Sequence, residues 1–416
     1  MLIQFIKAIS AKSIGILGTL SAFLALGHFE GESNLGFYSI LVSMLLIHSV
    51  ATRIGLESTI AKKVTLWQIS KLDFFTSKYF IFSYILVFLT SLISYLCMYS
   101  WICLNGSFFA VTNENFILYC VSHLFTSLIF INSAFQKSFG HATLANMLEF
   151  GFVNAIFAGS IYICFAYQID INVIALLTLS VFLTYIISLF FLFRGNNINL
   201  LKTKPIRLIQ LKRFFTISWP TARTFWIASS LNYFNNWGGV LILAHFSTVN
   251  TVAHFSVSQK IASIVAVIFT VSLSYVPHTY LKIYKIKGQR TANYQLKKYN
   301  LLFLSAACLL TLVIFILSDS LMKSFGLDNI DPTILYLFLF AYLFKSAVGP
   351  LGFILNISGF HNIMLFANIT TFVITISLGI ILTAYFSGIG LAISNVVNIV
   401  FFSTYCLLLM KKKFKY

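Results

Sequence analysis

Residues 171–213 read INVIALLTLSVFLTYIISLFFLFRGNNINLLKTKPIRLIQLKR. The first 23 carry no charge; the next 20, Arg194 to Arg213, carry six Lys or Arg, no acid, and Pro205. About 20 apolar residues suffice for an α-helix to cross the ~30 Å hydrocarbon core of a bilayer. The stretch therefore reads as a membrane span ending on a basic loop, and it falls near the middle of the chain.

The same pattern extends in both directions. Apolar stretches of spanning length occupy 6–27, 36–60, 79–104, 115–136, 141–167 and 171–193, then 214–244, 251–279, 299–318, 333–356, 361–385 and 388–410. Composition agrees: 59% of the 416 residues are apolar and 9% are charged, against roughly 25% charged in a soluble domain. At roughly 20 residues per span the apolar content covers about twelve crossings. The expectation is an all-α, polytopic membrane protein with about twelve transmembrane helices in two six-helix bundles around a central cavity. Lys7 and Lys12 ahead of the apolar stretch Ser13 to Gly27 have the look of a signal peptide, but further spans follow at once, so this reads as an uncleaved first helix.

Charge placement orients the chain. One set of connectors holds 22 of the 28 basic residues, among them Lys62, Lys63, Lys71 and Lys78, Lys137, the six of 194–213, the six of 282–298 and the four at 411–415. The alternate connectors hold Glu30, Glu32, Glu114, Asp170, Asp319, Asp328 and Asp331, with Lys323 as their only cation. Lys and Arg concentrate in cytoplasmic loops, so both termini of this multi-pass membrane protein are expected in the cytoplasm. The net charge of +18 would suggest nucleic acid in a soluble protein. Here it follows from topology, and no nucleic-acid partner is expected. The long connector divides the chain into 1–193, a six-helix bundle; 194–213, a basic cytoplasmic linker; and 214–416, a second six-helix bundle. Loop 62–78 corresponds in order to loop 282–298. Parallel repeats of this kind place a substrate site between the halves.

Five cations lie inside predicted spans, Lys12, Arg53, Arg223, Lys260 and Lys345, with two acids, Glu57 and Glu149. An ionisable group at mid-membrane costs ~2.5–3.5 kcal/mol, so each should meet a partner or a wet cavity. Lys12 lies near the cytoplasmic end, where it can snorkel. Lys260 and Lys345 are roughly 14 and 18 Å deep at ~1.5 Å per residue, and Arg223, close after Pro220, is similarly deep. These three line a cavity or bond a backbone carbonyl or polar neighbour. Arg53 and Glu57, four apart, share a helix face and can neutralise each other. Glu149 has no obvious local partner; it is a candidate for carrying a coupling ion or a neutral buried acid. Asn232, Asn235 and Asn236 on the seventh span can meet sugar hydroxyls or bond neighbouring helices.

Other features carry less. The six cysteines, at 97, 103, 120, 164, 308 and 406, lie in apolar runs without metal spacing and read as small buried hydrophobes. Eight histidines show no metal-binding pair, and His48 and His123, inside spans, read as satisfied core residues. No cofactor is expected. An excess of Lys and Arg in a vestibule attracts anions, phosphate above all. The residues alone thus point to a transporter of an anionic, amphipathic solute.

Several segments carry a family resemblance. Gly36-Phe-Tyr-Ser-Ile40 with Arg53-Ile-Gly-Leu56, Ile217-Ser-Trp-Pro220, and AHFSVSQKIASI at Ala253–Ile264 ending at Pro277 are the first of these. Gly349-Pro-Leu-Gly352, Ile357-Ser-Gly359 and Gly388-Ile-Gly390 complete the set. Together the chain resembles the polysaccharide-transport branch of the multidrug/oligosaccharidyl-lipid/polysaccharide flippase superfamily. The resemblance implies a Wzx-type flippase, not an enzyme. Such a flippase carries an undecaprenyl-pyrophosphate-linked oligosaccharide, an O-antigen or similar lipopolysaccharide repeat unit, to the periplasmic leaflet by alternating access coupled to an ion. It further implies substrate binding by Arg53, Arg223, Lys260, Lys345 and Lys12. Glu57 and Glu149 become the candidates for a coupling proton or sodium ion, and membrane lipids and a polysaccharide polymerase the further partners. Many relatives have an acid on the seventh span where this chain has Asn232 to Asn236, which weakens a coupling role there. The alternatives are a multidrug or ion antiporter of the same fold and, from another class, a membrane-embedded glycan polymerase. The latter usually needs a substantial external loop bearing acids, bases or arginines, and this chain has only short ones.

Overall fold

The computed structural model describes residues 2–69, 73–105, 107–109, 111–195, 208–327 and 331–414. Lys71, Lys202, Lys204, Pro205, Arg207, Asp328 and Lys415 lie outside the described residues, and with them most of the expected linker.

Every predicted span is helical. The helices are α1 (Leu2–Arg53), α2 (Leu56–Ile69), α3 (Asp73–Asn105), α4 (Phe116–Ser138), α5 (Ala142–Asn146), α6 (Phe152–Ala166) and α7 (Val173–Gly195). There follow α8 (Leu208–Tyr233), α9 (Gly239–Phe246), α10 (Val249–Lys287), α11 (Gln289–Ile316), α12 (Ser318–Ser324), α13 (Thr333–Val348), α14 (Leu351–Leu355) and α15 (His361–Phe414). A two-strand ribbon, Ser107–Phe108 against Val111–Thr112, closes the turn between α3 and α4. Among the described residues, seven helices are long and apolar enough to cross a membrane, or eight if the bent pair at 142–166 is one span.

Two of the seven are far longer than a bilayer needs. The apolar part of α1 runs Gly15–Arg53, 39 residues, and that of α15 runs 53; at ~1.5 Å per residue these would reach about 58 and 80 Å. Each is two spans joined at a kink. Gly31 (φ 79, ψ 179) breaks α1, and Gly27 and Leu35, on either side of it, approach so closely that a Cβ on Gly27 would lie 3.0 Å from Leu35 Cδ1. Ser387 (φ 52, ψ −130) breaks α15, and the Ser394 hydroxyl donates to the Thr375 carbonyl at 3.0 Å, as antiparallel segments require.

Packing divides the chain into two compact units. The first comprises 1–13, 26–39 and 239–416; the second comprises 14–25 and 40–238. The division between these units falls at Gly238–Gly239, part-way along the seventh predicted span. The core of the second unit gathers Leu56, Ile60, Val64, Tyr79, Phe80 and Phe135, among others. That of the first gathers Val276, Tyr280, Leu296, Leu351, Met364 and Met410. Large apolar side chains are exposed along α11, such as Leu301, Leu309, Leu312 and Ile316. This is the outward face of a protein whose solvent is lipid. The same reason corrects the expectation for the cysteines: Cys164 and Cys406 are buried, but Cys97, Cys103 and Cys308 are exposed.

Among the described residues, π-helical turns interrupt the spans at Met147–Gly151, Phe234–Gly238 and Asn356–Phe360. Such turns add a residue to the helix and frequently occur at functional positions.

Candidate functional site

In the second unit, α1 ends at Arg53 because Ile54 (φ 48) and Gly55 (φ 70) take left-handed conformations. Glycine is needed at 55: an added Cβ would overlap the Ala222 carbonyl of α8 and lie 2.7 Å from the Trp226 amide nitrogen. Beside the break, the Thr90 hydroxyl of α3 donates to the Thr52 carbonyl at 2.7 Å.

Arg53 is fully buried. Its Nε donates to the Ser49 carbonyl at 3.0 Å, and its Nη1 forms an ion pair with the Glu57 carboxylate across the break. The guanidinium lies 3.9 Å from the centre of the Phe130 ring and 5.5 Å from that of Tyr233. An Arg against aromatic faces gains cation–π attraction, more when desolvated. The structure therefore brings Arg53 and Glu57 together, as their spacing suggested, and adds walls from α4 and α8 that no local pattern announced.

Glu149 differs from expectation. It has a partner: Lys137 of α4 donates to its Oε1 at 2.6 Å. Charge placement makes Lys137 a loop cation, but the turn 139–141 reverses the chain and sets it beside the π turn that carries Glu149. Arg53 and Glu149 also feel each other's charge.

The remaining cations are spread over both units. Arg223, three residues past Pro220 on α8, is exposed and forms no ion pair among the described residues. Lys260 of α10 and Lys345 of α13 are half-buried in the first unit, and Lys345 Nζ sits 4.7 Å over the Phe269 ring. Lys12 is on α1, but its side chain lies outside the described residues. On the π turn 234–238, Asn236 donates to the Asn232 carbonyl at 2.8 Å, so those two amides face each other rather than another helix. The Asn235 carboxamide oxygen is buried and has no hydrogen-bond partner among the described residues.

Outside the spans, Lys63 of α2 donates to the Ser218 hydroxyl of α8 at 3.1 Å, and Tyr79 shares that hydroxyl at 2.9 Å. Partial burial, and then the neighbouring Lys62, lower the Lys63 pKa from the ordinary lysine value. No group of three or more potential metal ligands occurs among the described residues.

No family model matches the chain, and no curated protein matches it by sequence. Solved structures do share its fold. An inward-facing multidrug-resistance MATE family transporter of the MOP superfamily matches with a TM-score of 0.67 at 16% identity, over 98% of each chain. The MATE transporter VcmN of Vibrio cholerae, as a point mutant, matches at 0.63 and 14%, over 99% of this chain and 96% of its own. A MOP superfamily transporter from Pyrococcus furiosus, whose binding pocket is described as reversed in polarity, matches at 0.57 and 14%, over 99% and 94%. At these identities the likeness concerns the fold: the chain has the architecture of the MATE transporters of the MOP superfamily.

Proposed function

We propose that the protein is an alternating-access membrane transporter, not an enzyme, and that its cargo is anionic. The observation that carries this is the fate of the two acids within the spans. Glu57 is paired with Arg53 and Glu149 with Lys137, so neither carboxylate is left to receive a cationic solute. Arg223, Lys260 and Lys345 add positive charge on both units, and cations at depth attract anions, phosphates best. The fold supports transport, since neighbours of this fold are captured in inward- and outward-facing forms. The sequence resemblance gives the finer identity: a lipid-linked oligosaccharide diphosphate as cargo, an inner membrane as location, and a polysaccharide polymerase as working partner.

A second reading, a multidrug antiporter, is favoured by the description of the neighbours as multidrug transporters. The two readings differ in the sign of the cargo. Purified protein in sealed proteoliposomes should flip a fluorescent polyprenyl-diphosphate sugar, and Lys345→Ala with Arg223→Ala should abolish this in folded protein. Efflux of a cationic dye with no movement of the glycolipid would establish the antiporter instead.

A further inference from the structure

One buried polar cluster of the second unit is used by neither reading. His48 of α1 and His123 of α4 stack with ring centroids 4.0 Å apart. All four ring nitrogens meet hydroxyl groups. His48 Nδ1 faces Tyr119 Oη at 3.0 Å and His48 Nε2 faces Ser94 Oγ. His123 Nδ1 faces Tyr95 Oη at 2.7 Å and His123 Nε2 faces Thr52 Oγ1 at 3.2 Å. Tyr95 and Tyr119 close the box edge-on and face-on.

This network assigns a tautomer. Tyr95 donates its single hydrogen to the Cys120 carbonyl at 2.7 Å, so it offers His123 Nδ1 only a lone pair and Nδ1 must carry a hydrogen. His123 Nε2 is then the atom free to bind a proton. Thr52, which faces it, has a second acceptor within reach, the Ser49 carbonyl at 3.2 Å. We propose that the His48–His123 pair is a proton-binding site, and that it takes up its proton together with an anion bound near Arg53.

The uptake loses no hydrogen bond. A hydronium ion gives its proton to the Nε2 lone pair and leaves as water. The Thr52 hydroxyl hydrogen turns to the Ser49 carbonyl, and Nε2–H then donates to Thr52 Oγ1 while Nδ1–H still donates to Tyr95. A box built from N–H donors would oppose this; hydroxyl groups, which both donate and accept, do not. Two charged stacked rings repel, so the pair takes one proton rather than two. The groups facing it are Arg53 from α1, Tyr95 from α3, and Tyr119 and Cys120 from α4; the charges whose fields reach His123 are those of His48 and Arg53. Arg53 follows Thr52 directly and ends the same helix. An imidazolium and a guanidinium repel; Glu57, paired with Arg53, offsets part of that repulsion, and an anion bound near Arg53 offsets more. Proton and anion therefore raise each other's affinity, by the same factor for both. The linkage rests on the anionic-cargo reading; the proton site itself does not.

Histidine-labelled full-length protein in lipid nanodiscs tests both. Nitrogen NMR separates imidazole from imidazolium, and His48→Gln and His123→Gln assign the two rings. On acidification one proton should enter the pair, and the near-isosteric Thr52→Val should suppress its uptake at Nε2. Ring signals that stay neutral down to the acid limit of the folded wild-type protein overturn the site. Farnesyl diphosphate, added at fixed pH, should raise the imidazolium-to-imidazole ratio several-fold, about tenfold if the coupling is typical. Proton uptake that diphosphate leaves unchanged overturns the linkage and counts against an anion at Arg53, while the histidine site stands.

Discussion

Arg53 shows how a residue can be legible and incomplete at once. Its spacing from Glu57 announced the ion pair, because i and i+4 share a helix face. The aromatic walls from Phe130 and Tyr233 did not show, since they come from residues 77 and 180 positions away and no local period encodes them. Lys137 was missed for a similar reason: its partner Glu149 lies across a turn. Removing one partner of a buried pair leaves an uncompensated charge, which typically costs ~3 kcal/mol or more, whereas an apolar replacement of the whole pair is nearly neutral. Arg53→Met should thus lower the thermal midpoint in detergent clearly, and Arg53→Met with Glu57→Gln should recover most of the loss. Asp331 makes a smaller prediction. Its carboxylate accepts from the Thr333 side chain and backbone amide, the latter at 3.0 Å, and these bonds, with His254 nearby, hold its pKa below the ordinary carboxylate value. A depressed carboxylate pKa stabilises above its unfolded value of ~3.9, and that contribution fades as pH falls through the folded value. Asp331→Ala should speed amide exchange in the first turn of α13 about fivefold at neutral pH, and the difference from wild type should shrink in acid.

At the scale of elements, the spans were readable because length and apolarity suffice to define them, and all twelve are helical. The breaks were harder. Pro220 and Pro277 lie inside continuous helices α8 and α10, whereas Pro350 stands between the end of α13 and the start of α14. The sharp reversals at Gly31 and Ser387 carry no proline, and the π turns have no composition of their own. Ser387 makes the point testable. Its backbone occupies a region that L residues rarely adopt, a strain of ~1–3 kcal/mol, while its hydroxyl hydrogen-bonds Ser247 at 2.6 Å. Ser387→Ala loses the bond and keeps the strain; Ser387→Gly loses the bond and relieves the strain. The glycine variant should therefore be the more stable of the two by ~1–2 kcal/mol in chemical denaturation, and equal stabilities would show that the strain is absent.

At the scale of the whole molecule, loop charge and packing carry different information. Spans and charges give two halves joined by the basic connector 194–213; packing groups 239–416 with 1–13 and 26–39, and 40–238 with 14–25. Loop charge reports how a chain is threaded through a membrane; it carries no information on which helices pack together. The charge map therefore predicts topology, and topology can be measured on its own. Gln289 stands at the start of α11 among Lys285, Lys287 and Arg290, and Ser320 stands in α12 beside Asp319, with one cation nearby, Lys323. If Lys and Arg were retained on the cytoplasmic side, these two positions, 31 residues apart with the apolar body of α11 between them, must face opposite aqueous phases. Single cysteines introduced as Gln289→Cys and Ser320→Cys, in a background with the native six replaced, should then react differently with a membrane-impermeant maleimide in sealed right-side-out membrane vesicles. Ser320→Cys should label at once, and Gln289→Cys only after the vesicles are opened. Labelling of both without that opening would mean that α11 does not cross, and the reverse order would invert the chain. Inversion would put the 22 loop cations outside, so the +18 charge would need a binding partner to explain it instead of a threading rule.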